Sequence, residues 1–215
     1  NTATTADNDY TAVVSETLTF SGTAGETQTF TVTPTADTKL EGDEGVFLGI
    51  GNLQGTSLTV ALNDGANVTF LNDDAASVTI QDISANEDDG TITVRASLDN
   101  EVQGGFTVDV STTDGTATIA DSDYTGVTAE TLTFAGTAGE IQTFTITPTA
   151  DNKLEADETL TITQSNLSAT TLGVDITDGA TITINNDDSA AVTISDVSGN
   201  DDTNSYLRQS CSRRF

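Results

Sequence analysis

The sequence predicts an all-β protein built from tandem antiparallel β-sandwiches of about seven strands each. Three observations predict this class. Val, Ile, Leu and Thr recur in short alternating runs, which is typical of strands that bury one face. Turn pairs such as Asp-Gly separate these runs, and no long segment has helical periodicity. A segment of domain length is also repeated along the chain.

The internal repeat has an offset of 114 residues, as in the pairing of Tyr10 with Tyr124. About 60% of the paired positions are identical, far above chance, and a unit of this length is the size of a small domain. This register predicts four parts: a partial domain at 1–74 that lacks its first strands, A and B; a complete domain at 75–188; the first strand of a third repeat at 189–202; and a tail at 203–215.

The tail matches nothing upstream and holds the single cysteine, Cys211, together with three of the six basic residues. We interpret it as a non-native, vector-encoded or out-of-frame segment, with a native extension as the alternative. Residues 189–197 have the sequence of a first strand. We hypothesise that they can pair with the open edge of the partial domain in a neighbouring molecule, by strand exchange.

The complete domain has seven predicted strands, a number and spacing that resemble an immunoglobulin-like sandwich. Phe20, Phe30, Phe134 and Phe144 are expected to fill the cores. The predicted strands are A near 76–83, B at 90–98, C at 106–113, D at 131–135, E at 141–149, F at 158–165 and G at 178–185.

The charge balance excludes several classes of partner and activity. The net charge is −28, with 34 acidic residues against 6 basic ones, so nucleic acid and anionic membranes would be repelled. The chain has no His, and its one Cys lies in the tail, so zinc and copper lack their preferred ligands. Without a His base, a GxSxG motif or a phosphate loop, the sequence predicts no enzyme.

The acidic residues are predicted to gather at one end of the sandwich. Successive loops of an antiparallel sandwich alternate between its two ends, so loops A–B, C–D and E–F and the exit of strand G share one end. These segments hold twelve carboxylates, against five at the opposite end. Such crowding favours bound cations, and oxygen ligands from several loops favour Ca²⁺ over Mg²⁺. A solvated acidic rim is the alternative.

Three stretches resemble the Calx-beta family, which occurs in sodium–calcium exchangers and long bacterial surface proteins. They are DGTATIADSDYT at 114–125, ETLTFAGTAGEIQTFTITPTADNKLEADETLTI at 130–162 and ATITINNDD at 180–188. Two acidic runs are shorter than in the family, which often has three consecutive Asp at each place: here they are Ala150-Asp151-Asn152 and Asn186-Asp187-Asp188. This loss of charge implies fewer or more weakly bound ions.

The resemblance implies a set of calcium ligands in each repeat. In the complete domain these are Glu87, Asp123, Asp151, Glu155, Glu158, Asp187 and Asp188, with Lys153 contributing its backbone carbonyl. In the partial domain the counterparts are Asp9, Asp37, Glu41, Glu44, Asp73 and Asp74. At the start of the third repeat, Asp201 takes the place of Glu87.

These observations predict a calcium-binding structural or adhesive repeat module of a large extracellular or cell-surface protein, of bacterial type. Its expected partners are calcium ions and neighbouring repeats. The junction NNDDSAA has no flexible composition, so calcium is expected to stiffen the contacts between domains. A regulatory calcium sensor and an accessory module of a secreted enzyme are the alternatives.

Overall fold

The computed structural model describes residues 2–14, 16–62, 64–196 and 198, together with the backbone of residues 209–214. Among them, no helix has the length and apolar composition needed to cross a membrane. A short 3₁₀ helix spans Glu87–Asp89. The strands are β1 (Tyr10–Thr11), β2 (Thr33–Pro34), β3 (Glu44–Gly49), β4 (Gly65–Phe70), β5 (Val78–Ile80), β6 (Ile83–Asn86), β7 (Ile92–Leu98), β8 (Phe106–Asp114), β9 (Tyr124–Thr125), β10 (Glu130–Phe134), β11 (Ile141–Pro148), β12 (Glu158–Ser168), β13 (Gly179–Asn185), β14 (Ser189–Ile194) and β15 (Gln209–Arg214).

Strands β5 to β13 form a two-sheet sandwich, which confirms the predicted fold class. One sheet has the strand order β10-β8-β12-β13-β6, and the other has the order β5-β7-β11-β9. All neighbours are antiparallel except β6 and β13. Strand β9 was not predicted, because a strand of two residues leaves no alternating pattern.

The prediction of one continuous strand A near 76–83 is wrong. The segment forms two strands, and each belongs to a different sheet: β5 pairs with β7, and β6 pairs in parallel with β13. The crossing is fixed at Asp82, whose Oδ1 accepts a hydrogen bond from the Thr181 backbone N–H at 2.7 Å. Alternating hydrophobicity marks both halves in the same way, so the pattern does not reveal a change of sheet.

The core lies between the two sheets and is filled by alternating residues of the strands. On β7, for example, Val94 and Ala96 are fully buried. The rings of Phe106 and Phe134 stack with centroids 4.9 Å apart, and Phe144 is 2% exposed. The expectation for Phe134 and Phe144 is therefore confirmed, and burying each ring stabilises the fold by about 1.5–3 kcal/mol.

The same expectation is wrong for the first repeat, where Phe20 is 57% exposed and Phe30 is 39% exposed. In the second repeat, β10 and β11 form hydrogen bonds with β8 and β7. At the repeat offset, the counterparts of β7 and β8 would precede residue 1, which aligns with Gly115. An open cavity of about 360 Å³ borders residues 11–14, Glu16, Thr31 and Thr33, which correspond to positions beside β7 and β8 in the complete sandwich.

The first repeat keeps the strand pairs that need no missing partner. Strands β3 and β4 pair like β12 and β13, and β1 pairs with β2 as β9 does with β11. Strand β14 pairs with β15, and its side chains are exposed. Exchange of residues 189–197 between molecules stays a prediction, as does the interpretation of the tail. Residues 197, 199–208 and 215 lie outside the described residues.

At the end of the sandwich opposite the acidic loops, Glu140 closes the turn between β10 and β11. Its carboxylate accepts hydrogen bonds from the backbone N–H groups of Ala135 and Gly136, both at 3.0 Å, and from Gln142 Nε2 at 2.8 Å. Burial raises the pKa of Glu140, but these hydrogen bonds outweigh it, and the net pKa lies below its usual value. The charged form therefore stabilises the fold.

The substitution Glu140→Gln is expected to lower the free energy of unfolding near neutral pH by about 1–3 kcal/mol, because hydrogen bonds to a charge are lost. A depressed pKa in the folded state makes this contribution present above the usual glutamate pKa and lost as the pH falls through the folded pKa. Urea unfolding across this pH range should show the gap between wild type and variant closing in acid. The exposed Glu130→Gln is the control, and a gap independent of pH would contradict the assignment.

Candidate metal centre

Four segments of the chain meet at one end of the sandwich and enclose a small cavity. Glu87 comes from the 3₁₀ helix after β6, and Asp123 from the loop before β9. Asp151 and Glu155 come from the β11–β12 loop, and Asn186 follows β13. The cavity has a volume of about 10 Å³, which is room for one water-sized particle. It is far smaller than the roughly 300–1,000 Å³ of sites for organic ligands.

Three carboxylates form the centre of this cluster. One oxygen each from Asp123, Glu155 and Glu158 lie within 4.8 Å of one another. Asp123 is held by a hydrogen bond from the Thr118 backbone N–H to its Oδ2, at 2.7 Å. Burial raises the pKa of Glu158, and the negative charges of Asp123 and Glu155 raise it further. The cluster is therefore electrostatically unfavourable without a positive charge.

Glu87 adds a deeply buried carboxylate to the same end. Its side chain is 4% exposed, and its Oε1 is buried without a hydrogen-bond partner. Burial raises the pKa of Glu87 to about 7, with further contributions from the charges of Asp151 and Asp188. A short polar turn places it there, since the Asn86 N–H donates to Asp89 Oδ2 at 2.9 Å. An unpaired buried oxygen of this kind fits a cation ligand.

The β11–β12 loop is shaped by its own side chains. Asp151 Oδ1 accepts a hydrogen bond from the Lys153 backbone N–H at 2.5 Å, and the Lys153 ammonium forms an ion pair with Glu155 Oε2. The pKa of Lys153 is raised by this contact. The ion pair supplies one positive charge beside the cluster, while Glu87, Asp123 and Glu158 remain around the cavity.

Asn186 ties this loop to the exit of β13. Its Oδ1 accepts from the Glu155 N–H at 3.2 Å, and its Nδ2 donates to the Asp188 carbonyl at 3.1 Å. Its own N–H donates to Asp157 Oδ1 at 3.1 Å. An Asp at this position could not donate through its side chain. The residue interpreted from sequence as a loss of charge therefore positions the acidic loop.

The first repeat builds the same arrangement. Asp9, Glu41 and Glu44 each offer an oxygen within 4.8 Å of the others. Asn72 repeats the contacts of Asn186, accepting from the Glu41 N–H at 3.2 Å and donating to the Asp74 carbonyl at 2.9 Å. Burial raises the pKa of Glu44, and Asp9 raises it further.

The structure gathers some of the sequence-predicted residues and separates others. Those that line the cavity of the second repeat are Glu87, Asp123, Asp151, Glu155 and Glu158. Asp188 is near enough to Glu87 to raise its pKa. Asp187 contributes its backbone N–H to Glu87, but its side chain is exposed, as are those of Asp37 and Asp73. Asp74 is half-buried, and Asp201 lies outside the described residues.

Two features of the site were missed by sequence reasoning. The first is the role of Asn72 and Asn186 in positioning the acidic loops. Their recurrence at the same repeat position was a signal in the sequence that could have indicated this role. The other is the extent of burial of Glu87, which stands in a run of three acidic residues that look alike in sequence. Its 3₁₀ turn points one of them inward.

Together, the fold and this cluster define an all-β sandwich module with an acidic centre at one end. The chain belongs to the Calx-beta family, since the model of the Calx-beta domain matches residues 1–74 and 71–188. No curated protein matches the chain.

Several solved structures are similar to this chain. The apo form of the Calx CBD1 domain is 25% identical over 54% of this chain and 100% of that domain, with a TM-score of 0.46. CBD12 from CALX1.2 is 25% identical, covering 52% of this chain and 44% of that one, with a TM-score of 0.45. The calcium binding domain CBD12 of CALX1.1 is 27% identical over the same shares, with a TM-score of 0.43.

The substitution Asn186→Asp is expected to lower the free energy of unfolding in the absence of divalent cations by about 1–3 kcal/mol, because the half-buried amide donor to the Asp188 carbonyl is replaced by a charge. Asn152→Asp is the matched control, since it adds the same charge on an exposed side chain of the β11–β12 loop. Urea unfolding in chelator measures both. If the two substitutions cost the same, the amide has no positioning role.

Proposed function

We propose that this chain is a calcium-binding structural repeat module. The observation that carries the proposal is the buried Glu87, with its unpartnered Oε1, beside the cluster of Asp123, Glu155 and Glu158. A cation in this cavity would offset the repulsion between carboxylates that come from separate loops. Binding would therefore join four segments of the sandwich.

Calcium fits these ligands better than other cations. Its oxygen ligands lie about 2.3–2.6 Å from the ion, so two of them on opposite sides are about 5 Å apart. Within each triad the three oxygens lie within 4.8 Å of one another, which is close enough for one ion to contact all three. Calcium also accepts six to eight oxygens in irregular arrangements, whereas magnesium requires a regular octahedron. We assign Glu87, Asp123, Asp151, Glu155 and Glu158 as the side chains that would hold it.

The first-repeat cluster lies beside the junction between repeats. Leu40, next to Glu41, forms a parallel β-bridge with Val102 of the second sandwich. The Leu40 N–H donates to the Glu101 carbonyl at 2.8 Å, and the Gln103 N–H donates to the Leu40 carbonyl at 2.9 Å. A cation held by Asp9, Glu41 and Glu44 would fix the loop that makes this contact. We therefore propose that calcium stiffens the junction between the units at 1–74 and 75–188.

This function places the chain in a longer array of repeats at the cell surface or outside the cell, where calcium is abundant. Structural modules of that environment bind calcium with dissociation constants of about 10⁻⁴–10⁻³ M, whereas sensors bind at about 10⁻⁷–10⁻⁵ M. A measurement of the calcium affinity would therefore distinguish the structural role from the regulatory one. We propose the structural role, because both repeats build the same cluster and one of them lies at a junction.

Calcium is expected to raise the melting temperature of the chain, and Glu87→Gln is expected to weaken calcium binding by roughly tenfold or more, since it removes a charged ligand. Without calcium the same substitution is expected to be neutral or stabilising, because it removes a buried charge from among carboxylates. Calorimetric titration and thermal unfolding, with and without chelator, measure both effects.

Asp88→Asn is the matched control for this substitution, since it removes the same charge from an exposed neighbour. It should change calcium affinity much less than Glu87→Gln does. An equal loss of affinity in both variants would indicate a diffuse acidic rim. A melting temperature that does not respond to calcium would contradict the proposed site.

Calcium should also limit bending at the junction. Small-angle scattering in calcium is expected to give a narrower distribution of interatomic distances than in chelator, because ordering the loop around Leu40 holds the two units at one angle. Glu44→Gln should reduce this difference, while Glu16→Gln, at an exposed carboxylate outside the cluster, should not. Identical scattering in calcium and chelator would contradict the stiffening role.

A further inference from the structure

The contact at Leu40 shows how one repeat is seated on the next. Leu40 is 6% exposed and forms part of the hydrophobic core cluster of the second sandwich, although it belongs to the first repeat. The loop that receives it, between β7 and β8, consists of residues 99–105. Leu40 thus packs into the end of the second sandwich that lies opposite the acidic centre.

The β7–β8 loop, which receives Leu40, packs closely against the turn after β10. Val102 is 2% exposed, and its N–H donates to the Gly136 carbonyl at 2.8 Å. Gly136 has a φ of 93°, and a Cβ on it would lie 2.1 Å from the Val102 carbonyl oxygen. In the first repeat, a Cβ on the counterpart Gly22 would meet nothing within 4 Å, because no such loop packs against it. A complete sandwich therefore carries this receiving loop as a preformed feature.

Leu154 is the counterpart of Leu40 in the second repeat, at the same offset of 114 residues. It is 57% exposed, and among the described residues its backbone makes none of the hydrogen bonds that Leu40 makes. The sequence around it is the same, with Lys-Leu-Glu in both repeats. The exposed side chain of Leu154, with its own backbone N–H and carbonyl, matches what the β7–β8 loop accepts from Leu40.

Charge at the junction favours the same partner. The side chain of Lys39 pairs with Glu41 at 2.8 Å, and the negative charge of Glu101 lies across the junction. Lys153 stands beside Leu154 in the same way and pairs with Glu155. The β7–β8 loop of a further copy would bring its own acidic residue next to Lys153.

We propose that Leu154 and its flanking loop are the docking surface for a further copy of this domain, which receives Leu154 in its β7–β8 loop as Leu40 is received. Residues 189–202 repeat 75–88, so a following copy would begin directly after the second sandwich. The counterparts of 99–105 would lie at 213–219, where the present sequence differs or ends. This inference rests on the proposed repeat-module function, but it does not require calcium.

The test lengthens the chain, so that residues 1–188 are followed by a second copy of residues 75–188. Amide hydrogen exchange at Leu154 is compared between the original chain of 215 residues and the lengthened chain, in calcium and in chelator. Docking should slow exchange at Leu154 at least tenfold, toward the rate at Leu40, because its N–H gains a carbonyl acceptor. Unchanged exchange in both conditions would overturn the proposal.

Exchange at Leu154 that slows in chelator, in a chain that shows no calcium binding by calorimetry, would support the docking surface and contradict only the calcium site. A second measurement uses the original chain of 215 residues alone. Leu40→Asp should accelerate exchange at the Leu40 and Gln103 amides at least tenfold, whereas the matched Leu154→Asp should leave them unchanged. If neither substitution changes amide exchange at residues 40 and 103, or both change it equally, the Leu40 side chain does not hold the junction together. That result would also overturn the proposal for Leu154.

Discussion

The mutual repulsion of carboxylates at one end of the sandwich is the constraint on which the site depends. Antiparallel strands carry alternate loops to the same end, so acids that are far apart in sequence become neighbours in space. Two like charges 4 Å apart repel by about 4 kcal/mol at an effective dielectric constant of 20. Burial raises the pKa values of Glu87 and Glu158, and this repulsion raises them further. Each group is shifted toward its neutral form, which a bound cation would reverse.

Uncharged donors and one lysine hold these acids in place. The Thr118 N–H fixes Asp123, and the amide of Asn186 joins the β11–β12 loop to the strand that leaves the sandwich. Lys153 compensates Glu155, but Glu87 has no such partner at its Oε1. The scaffold therefore orders the ligands without neutralising them. Under this condition the free energy of cation binding is most favourable, and the bound cation stabilises the loops most.

Much of this could be predicted from the sequence, because strands and loop ends follow from local patterns. Alternation located β7, β8 and β10 to β13, and the reversal of direction at each strand located the acidic end. Features that depend on contacts between distant segments could not be predicted. The change of sheet at Asp82 leaves the alternation intact. The role of Asn186 depends on hydrogen-bond donors 31 residues away, and sequence shows only that it lacks the charge of an Asp.

Comparing the two repeats distinguishes the effect of local sequence on burial from the effect of neighbouring strands and loops. Phe20 and Phe134 stand at equivalent positions in similar segments, yet one is 57% exposed and the other 1%. Leu40 and Leu154 share the same flanking residues and differ as widely. Burial at these positions is thus decided by the strands and loops beside them, as in repeat proteins whose stability resides partly in their interfaces. Leu40 and Leu154 each directly precede a Glu of an acidic cluster. The proposed cation binding and the proposed repeat docking would therefore act on one loop, and each should favour the other.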